Sequence, residues 1–137
     1  MAYVEEVLRN EADGSVSFGN YSLSTKTKIE NFKSGNDILK VKSFNEMTRL
    51  EKNDMFAYES EPGTAVFNFA ETKDGVTFKV SGTEDAQITV GLMENTEYKV
   101  FINDADEGGM KTNLSGMLSL SVELSDVEIV SIKIVKA

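Results

Sequence analysis

Asp104, Asp106 and Glu107 stand beside Gly108 and Gly109, and this is the densest group of potential ligand atoms in the chain. Carboxylate and carbonyl oxygens on a tight turn suit a hard cation, so these three residues are a weak calcium candidate with a structural role. The spacing is not that of an EF-hand, because the twelfth position counted from Asp104 is Ser115, where a bidentate glutamate would be needed. A solvated acidic turn uses the same residues without a metal. Other metal and nucleophile chemistry is closed off by composition: with no histidine and no cysteine, the chain has no imidazole base, no thiolate ligand and no disulfide. No other cofactor is expected.

Two further kinds of chemistry have candidate residues. Sugar rings stack on exposed aromatics, and with no tryptophan the available platforms are Tyr3, Tyr21 and Tyr58, since Tyr98 falls on a core-phased position. The many carboxylates could supply a two-acid glycosidase, but that mechanism needs two acids at fixed separation with their pKa values pushed apart. No motif in the sequence fixes such a pair. The expectation is a protein that is not an enzyme.

The elements that must position these residues are strands. From Thr64 onward apolar residues recur at every second position: Ala65, Phe67, Phe69; Val76, Phe78, Val80; Ile88, Val90, Leu92; Tyr98, Val100, Ile102; Leu118, Leu120, Val122, Leu124; Val130, Ile132, Ile134. That period puts one face on a core and one in water. Turn pairs at Asp13-Gly14, Gly19-Asn20, Asp74-Gly75 and Ser115-Gly116 punctuate a meander. Asn103 to Gly109 reads as an acidic loop, and Ser125-Asp126 as the last turn. Ser43-Phe44-Asn45-Glu46 fits a capping box, so residues 43–52 read either as a short helix or as a strand from Met47 to Lys52 that turns at Asn53-Asp54. About ten short strands without a long amphipathic helix predict an all-β antiparallel sandwich, immunoglobulin-like or jelly-roll. The chain reads as a single domain over 1–137, with a subdomain break at 61–63, where the only proline stands.

The segment Glu97 to Asp104 followed by Met110 to Ser125 has a strand ending in a turn, a second strand carrying Thr112, and Gly116 before an alternating strand. In this it resembles the immunoglobulin-like sandwich modules appended to surface proteins and carbohydrate-active enzymes of Gram-positive bacteria, over the last third of the chain. Over its whole length the chain is similar to small clostridial proteins that bear the label endosialidase. Sialidase chemistry needs an arginine cluster and a tyrosine nucleophile backed by an acid, and with Arg9 and Arg49 alone no catalytic motif carries over. The resemblance implies a cell-envelope or glycan-associated binding role.

Charge and patterning bound the partners. A net charge of −9 argues against nucleic acid, which needs clustered basic residues. No stretch has the length of a transmembrane helix and the start lacks a secretory signal, so the expectation is no membrane insertion and a cytoplasmic location, or export by another route. Phe101, Ile129 and Val135 are apolar residues on the outward phase of their strands, which marks them as candidate interface residues of a homo-oligomer. The functional expectation is a non-catalytic binding or assembly protein. A self-assembling structural subunit is the alternative, and a small glycan-cleaving enzyme the third reading.

Overall fold

A computed structural model describes residues 2–125 and 129–137. It is all β. Thirteen strands follow in order: β1 (Leu8–Asn10), β2 (Val16–Phe18), β3 (Thr27–Ser34), β4 (Asp37–Phe44), β5 (Met47–Lys52), β6 (Met55–Glu61), β7 (Ala65–Thr72), β8 (Gly75–Ser81), β9 (Ala86–Gly91), β10 (Glu97–Ile102), β11 (Ala105–Lys111), β12 (Met117–Val122) and β13 (Val130–Lys136). They form two antiparallel sheets, one in the order β1-β2-β7-β8-β13-β10-β11 and the other β12-β9-β6-β5-β4-β3. The sheets pack face to face as a β-sandwich.

The alternating apolar residues fill the space between the sheets. Val76, Phe78 and Val80 meet Ile88, Val90, Leu118, Leu120 and Val122 across the core, all of them buried. At its centre Phe18, Tyr58, Phe69 and Phe78 pack mainly edge to face, with ring centroids 5.3 to 6.3 Å apart. That geometry sets the positive edge of one ring against the negative face of the next.

One open alternative is decided and three expectations are corrected. Residues 43–52 hold no helix and take the strand alternative, with β5 over Met47–Lys52 turning at Asn53-Asp54; Asn45-Glu46 is the two-residue turn of the β4/β5 hairpin, and Ser43 is spent on a buried hydrogen bond rather than on a helix cap. The segment Asn103 to Gly109 is not a loop, because Asn103 and Asp104 both take positive φ, 51° and 67°, and close a tight hairpin into β11. Phe67, phased to the core, lies half-buried on the other face, since Val66 takes the interior position and the bulge at Asn68 (φ 54°) then returns Phe69 to the interior. Gly19-Asn20 is not a two-residue turn between strands but opens the irregular connection between β2 and β3, which also carries Tyr21 and Leu23. Ser125-Asp126 lies partly outside the described residues.

Pro62 stands where the chain leaves β6 in one sheet for β7 in the other. Both sheets draw strands from either side of it. The crossing is dry: Thr48, Ser60 and Thr64 are all at most 1% exposed. Thr48 Oγ1 donates to Thr64 O (2.7 Å) and accepts from Thr64 N–H (3.1 Å), while Thr64 Oγ1 meets Tyr58 OH and Ser60 Oγ, each at 2.8 Å. Ser43 Oγ joins Thr48 at 2.9 Å and accepts from the Asn20 N–H at the same distance. Gly19 (φ 100°) fits beside this knot because a Cβ there would lie 2.3 Å from Thr64 O.

Two outcomes test this packing. Leu120→Ala removes a buried side chain and should cost about 2–5 kcal/mol in denaturant melts, against no more than roughly 0.5 for the exposed Ser121→Ala. Equal losses would contradict the assigned faces. Thr48→Val keeps the shape but strands the Thr64 N–H, with an expected loss of about 1–3 kcal/mol, whereas Thr48→Ser should stay close to wild type.

Candidate functional site

Because the strands run up and down, the turns at 35–36, 53–54 and 73–74 and the loops 92–96 and 112–116 gather at one end of the sandwich. Between the sheets at that end opens a cleft of about 400 Å³. Its walls include Phe56, Ala57, Leu92, Met117 and the ring of Tyr98; Met55 and Met93 stand at its mouth, 71% and 55% exposed. Exposed apolar side chains of this size around a concavity make this end the candidate site.

One wall is held by a lattice of local hydrogen bonds. Tyr98, buried at its ring, accepts from the Met93 N–H through its hydroxyl at 3.1 Å, and Thr112 Oγ1 donates to Met93 O at 2.6 Å. Leu92 N–H reaches Gly116 O at 2.7 Å, and Asn113 Oδ1 accepts from the N–H groups of Ser115 and Met117. The backbone around Met93 is therefore fixed while its side chain projects. The other wall carries charge: Lys52 Nζ of β5 lies 3.1 Å from Glu71 of β7 and 3.6 Å from Asp37, tying one sheet to the other across the opening. Desolvation pulls the Lys52 ammonium down, but its bond to Glu71 and the charges of Glu71 and Asp37 outweigh that and raise its pKa.

The residues singled out from sequence are scattered. Tyr58 is wholly buried and Tyr21 is 5% exposed, so neither is a sugar platform. The cause is packing: Tyr58 sits in the aromatic core with its hydroxyl bonded to Thr64, and burial drives its phenol pKa up. Tyr21 donates to Ala2 O at 2.9 Å, and half-buried Tyr3 packs edge-on against it at 5.8 Å. Asp104 occupies the β10/β11 turn, whereas Asp106 and Glu107 lie within β11, at the point where its register against β10 shifts. Asp106 Oδ1 accepts from the Gly108 N–H at 2.8 Å. Among the described residues no three metal-ligating side chains converge.

Phe101, Ile129 and Val135 do face outward, with Lys133 Nζ 5.8 Å from the centre of the Phe101 ring and Ile129 48% exposed. Phe101 lies on β10 and Val135 on β13, with Ile129 just before it, and neither strand is an edge: β13 pairs with β8 and β10, and β10 also with β11. An interface through the edge of the last strand is thus ruled out by the topology. In front of Phe101 lies a shallower groove of about 220 Å³, bordered also by Asn68, Thr77, Lys79, Asp104 and Ser131. Sequence reading missed the cleft at the sandwich mouth. Its one local signal was methionine next to turn residues, as in Asn53-Asp54-Met55 and Leu92-Met93-Glu94.

The Lys52 bridge gives a pH test. A raised folded-state pKa means that its contribution is complete below the ordinary value of 10.5 and is lost as pH rises through the higher folded value. Denaturant midpoints of wild type and Lys52→Met should differ by a constant amount from neutral pH to about 10, and converge above 10.5 while Glu71 and Asp37 remain ionised. Convergence on acidification through pH 8 would contradict the assignment. Comparison of the chain with protein-family models, curated proteins and solved structures gave no match.

Proposed function

We propose that the protein is a non-catalytic binding module that seats an apolar side chain or short apolar segment of a partner in the cleft at the sandwich mouth. The observation that carries this reading is the pair of projecting methionines, Met55 and Met93, over an apolar floor. Methionine is flexible and polarizable, so it adapts to irregular apolar ligands. The Lys52–Glu71 pair supplies the polar anchor that such sites use for orientation. Asp54, Asp74 and Glu94 adjoin the lining residues and favour a partner with basic flanks.

Glu11, Asp13 and Glu30 are held below the ordinary carboxylate range, by bonds to Ser17, Ser15 and Lys28 respectively, so none of these three is the raised acid that a glycosidase needs. A glycan-associated role is the second reading. Its support is the groove at Phe101, where one aromatic ring is bordered by amide, hydroxyl, amine and carboxylate groups, together with the resemblance to modules of carbohydrate-active proteins.

Methyl-labelled methionine NMR distinguishes these readings. Titration with a short Leu/Phe/Lys peptide should move the Met55, Met93 and Met117 methyl signals and leave Met47, at the opposite end of the sandwich, in place. Met55→Ser with Met93→Ser should abolish most of the shift at Met117. A peptide that moves no methyl, or moves Met47 equally, would sink the cleft reading. Neutral and sialylated oligosaccharides that shift the amides of Asn68, Thr77 and Phe101 would favour the glycan reading in its place.

A further inference from the structure

The two sheets have four edges, and three of them are guarded. An unpaired edge presents a row of free N–H and C=O groups that will pair with another chain unless it is short, bulged or charged. β1 is three residues long. β3 is bulged at Asn31 (φ 55°) and carries Lys28, Glu30 and Lys33. β11 breaks register against β10 and carries Asp106 and Glu107. β12 has none of these devices: Met117–Val122 contains no charge, no proline and no glycine, and it keeps an unbroken register with β9 over all six residues. Among the described residues nothing pairs with its outer side.

The phase of its hydrogen bonds follows from one contact. Leu92 N–H bonds to Gly116 O, and these residues stand opposite each other in the β9/β12 register. Alternation then directs the backbone groups of Leu118, Leu120 and Val122 to β9, and those of Met117, Ser119 and Ser121 outward. Met117 is already satisfied, with its N–H on Asn113 Oδ1 and its C=O accepting from the Asn113 N–H. Ser119 and Ser121 are left with two free donors and two free acceptors.

We propose that β12 pairs antiparallel with β12 of a second copy of this chain, about a twofold axis at Leu120, with Ser119 opposite Ser121 of the other copy. That register matches both free residues of each strand and makes four backbone hydrogen bonds. It keeps Leu118, Leu120 and Val122 on the core side. On the outer side it extends a row of polar pairs already begun, where Thr89 meets Ser119 at 2.9 Å and Ser121 donates to Gln87 at 2.7 Å.

Charge selects this edge and this occupant. Two copies of net charge −9 repel, so they must meet where no like charges face each other. Self-pairing at β11 would set acids against acids, and β12 avoids that. The contact is also closed, because each copy uses its one unguarded edge and a dimer results rather than a fibre. A single strand pair buries less than a standard interface, so association belongs in the micromolar range. This inference is independent of the ligand assigned to the cleft.

Analytical ultracentrifugation of the full chain from low to high micromolar should show the mass rising from one chain to two. Ser119→Lys with Ser121→Lys places lysine opposite lysine twice and should weaken association by roughly tenfold. Ser119→Lys with Ser121→Glu places lysine opposite glutamate in the same register and should restore it. Both positions are exposed, so the far-UV spectra and melting temperatures of the dilute variants should match wild type. A wild type that stays monomeric overturns the proposal, as does a double-lysine variant that stays dimeric or a lysine/glutamate variant that does not associate.

Discussion

The structure depends on the hydroxyl knot around Thr64. A chain that passes from one sheet to the other must cross the sandwich with its backbone out of both ladders, and buried amides without partners are costly. Thr48, Ser60 and Tyr58 meet that demand at the point where β6 leaves one sheet and Thr64 enters the other. Ser43 and Asn20 extend the same network to β4 and to the connection after β2. β4, β5, β6, the entry to β7 and the connection after β2 are thereby fixed in relative position.

That opposite end is built differently. Its loops satisfy their own backbone through Thr112, Asn113 and Tyr98, and they leave the apolar side chains of Met55 and Met93 to the solvent. The sheets are joined there by the Lys52–Glu71 pair, a partly exposed ion pair and so a weak tie. One end of the sandwich is therefore locked by buried hydrogen bonds, and the other is joined by a single partly exposed ion pair beside the cleft. This asymmetry places the concavity, rather than the glycine-rich β10/β11 hairpin, at the end where apolar side chains stay accessible.

Met117 connects the two surfaces proposed for interaction. It contributes to the cleft wall and is also the first residue of β12. A strand laid along β12 would order the edge to which this wall belongs, so occupancy of the edge and occupancy of the cleft share a structural element. The shortness of β1, the bulge in β3 and the acids of β11 show that the other three sheet edges are shielded by local sequence.

The alternation from Val76 to Ile134 was sufficient to determine an all-β sandwich and to assign Leu118, Leu120, Val122, Ile132 and Ile134 to the core, because a period of two translates directly into faces. The same rule failed at Phe67, where one inserted asparagine reversed the phase, and the capping-box reading failed at Ser43, because a local pattern carries no record of the buried partner that claims the hydroxyl. The tyrosines show the limit most clearly: Tyr21 and Tyr58 have the chemistry of platforms, and only their neighbours in space decide that they are core. The cleft was invisible for a related reason. Its residues come from five separate segments between Lys52 and Met117, and strand order, which no local period encodes, brings them together. Sequence determined which face each strand turns inward; the tertiary structure decided which strands are edges and which turns meet, since those depend on long-range pairing whose free energy is spread over both sheets.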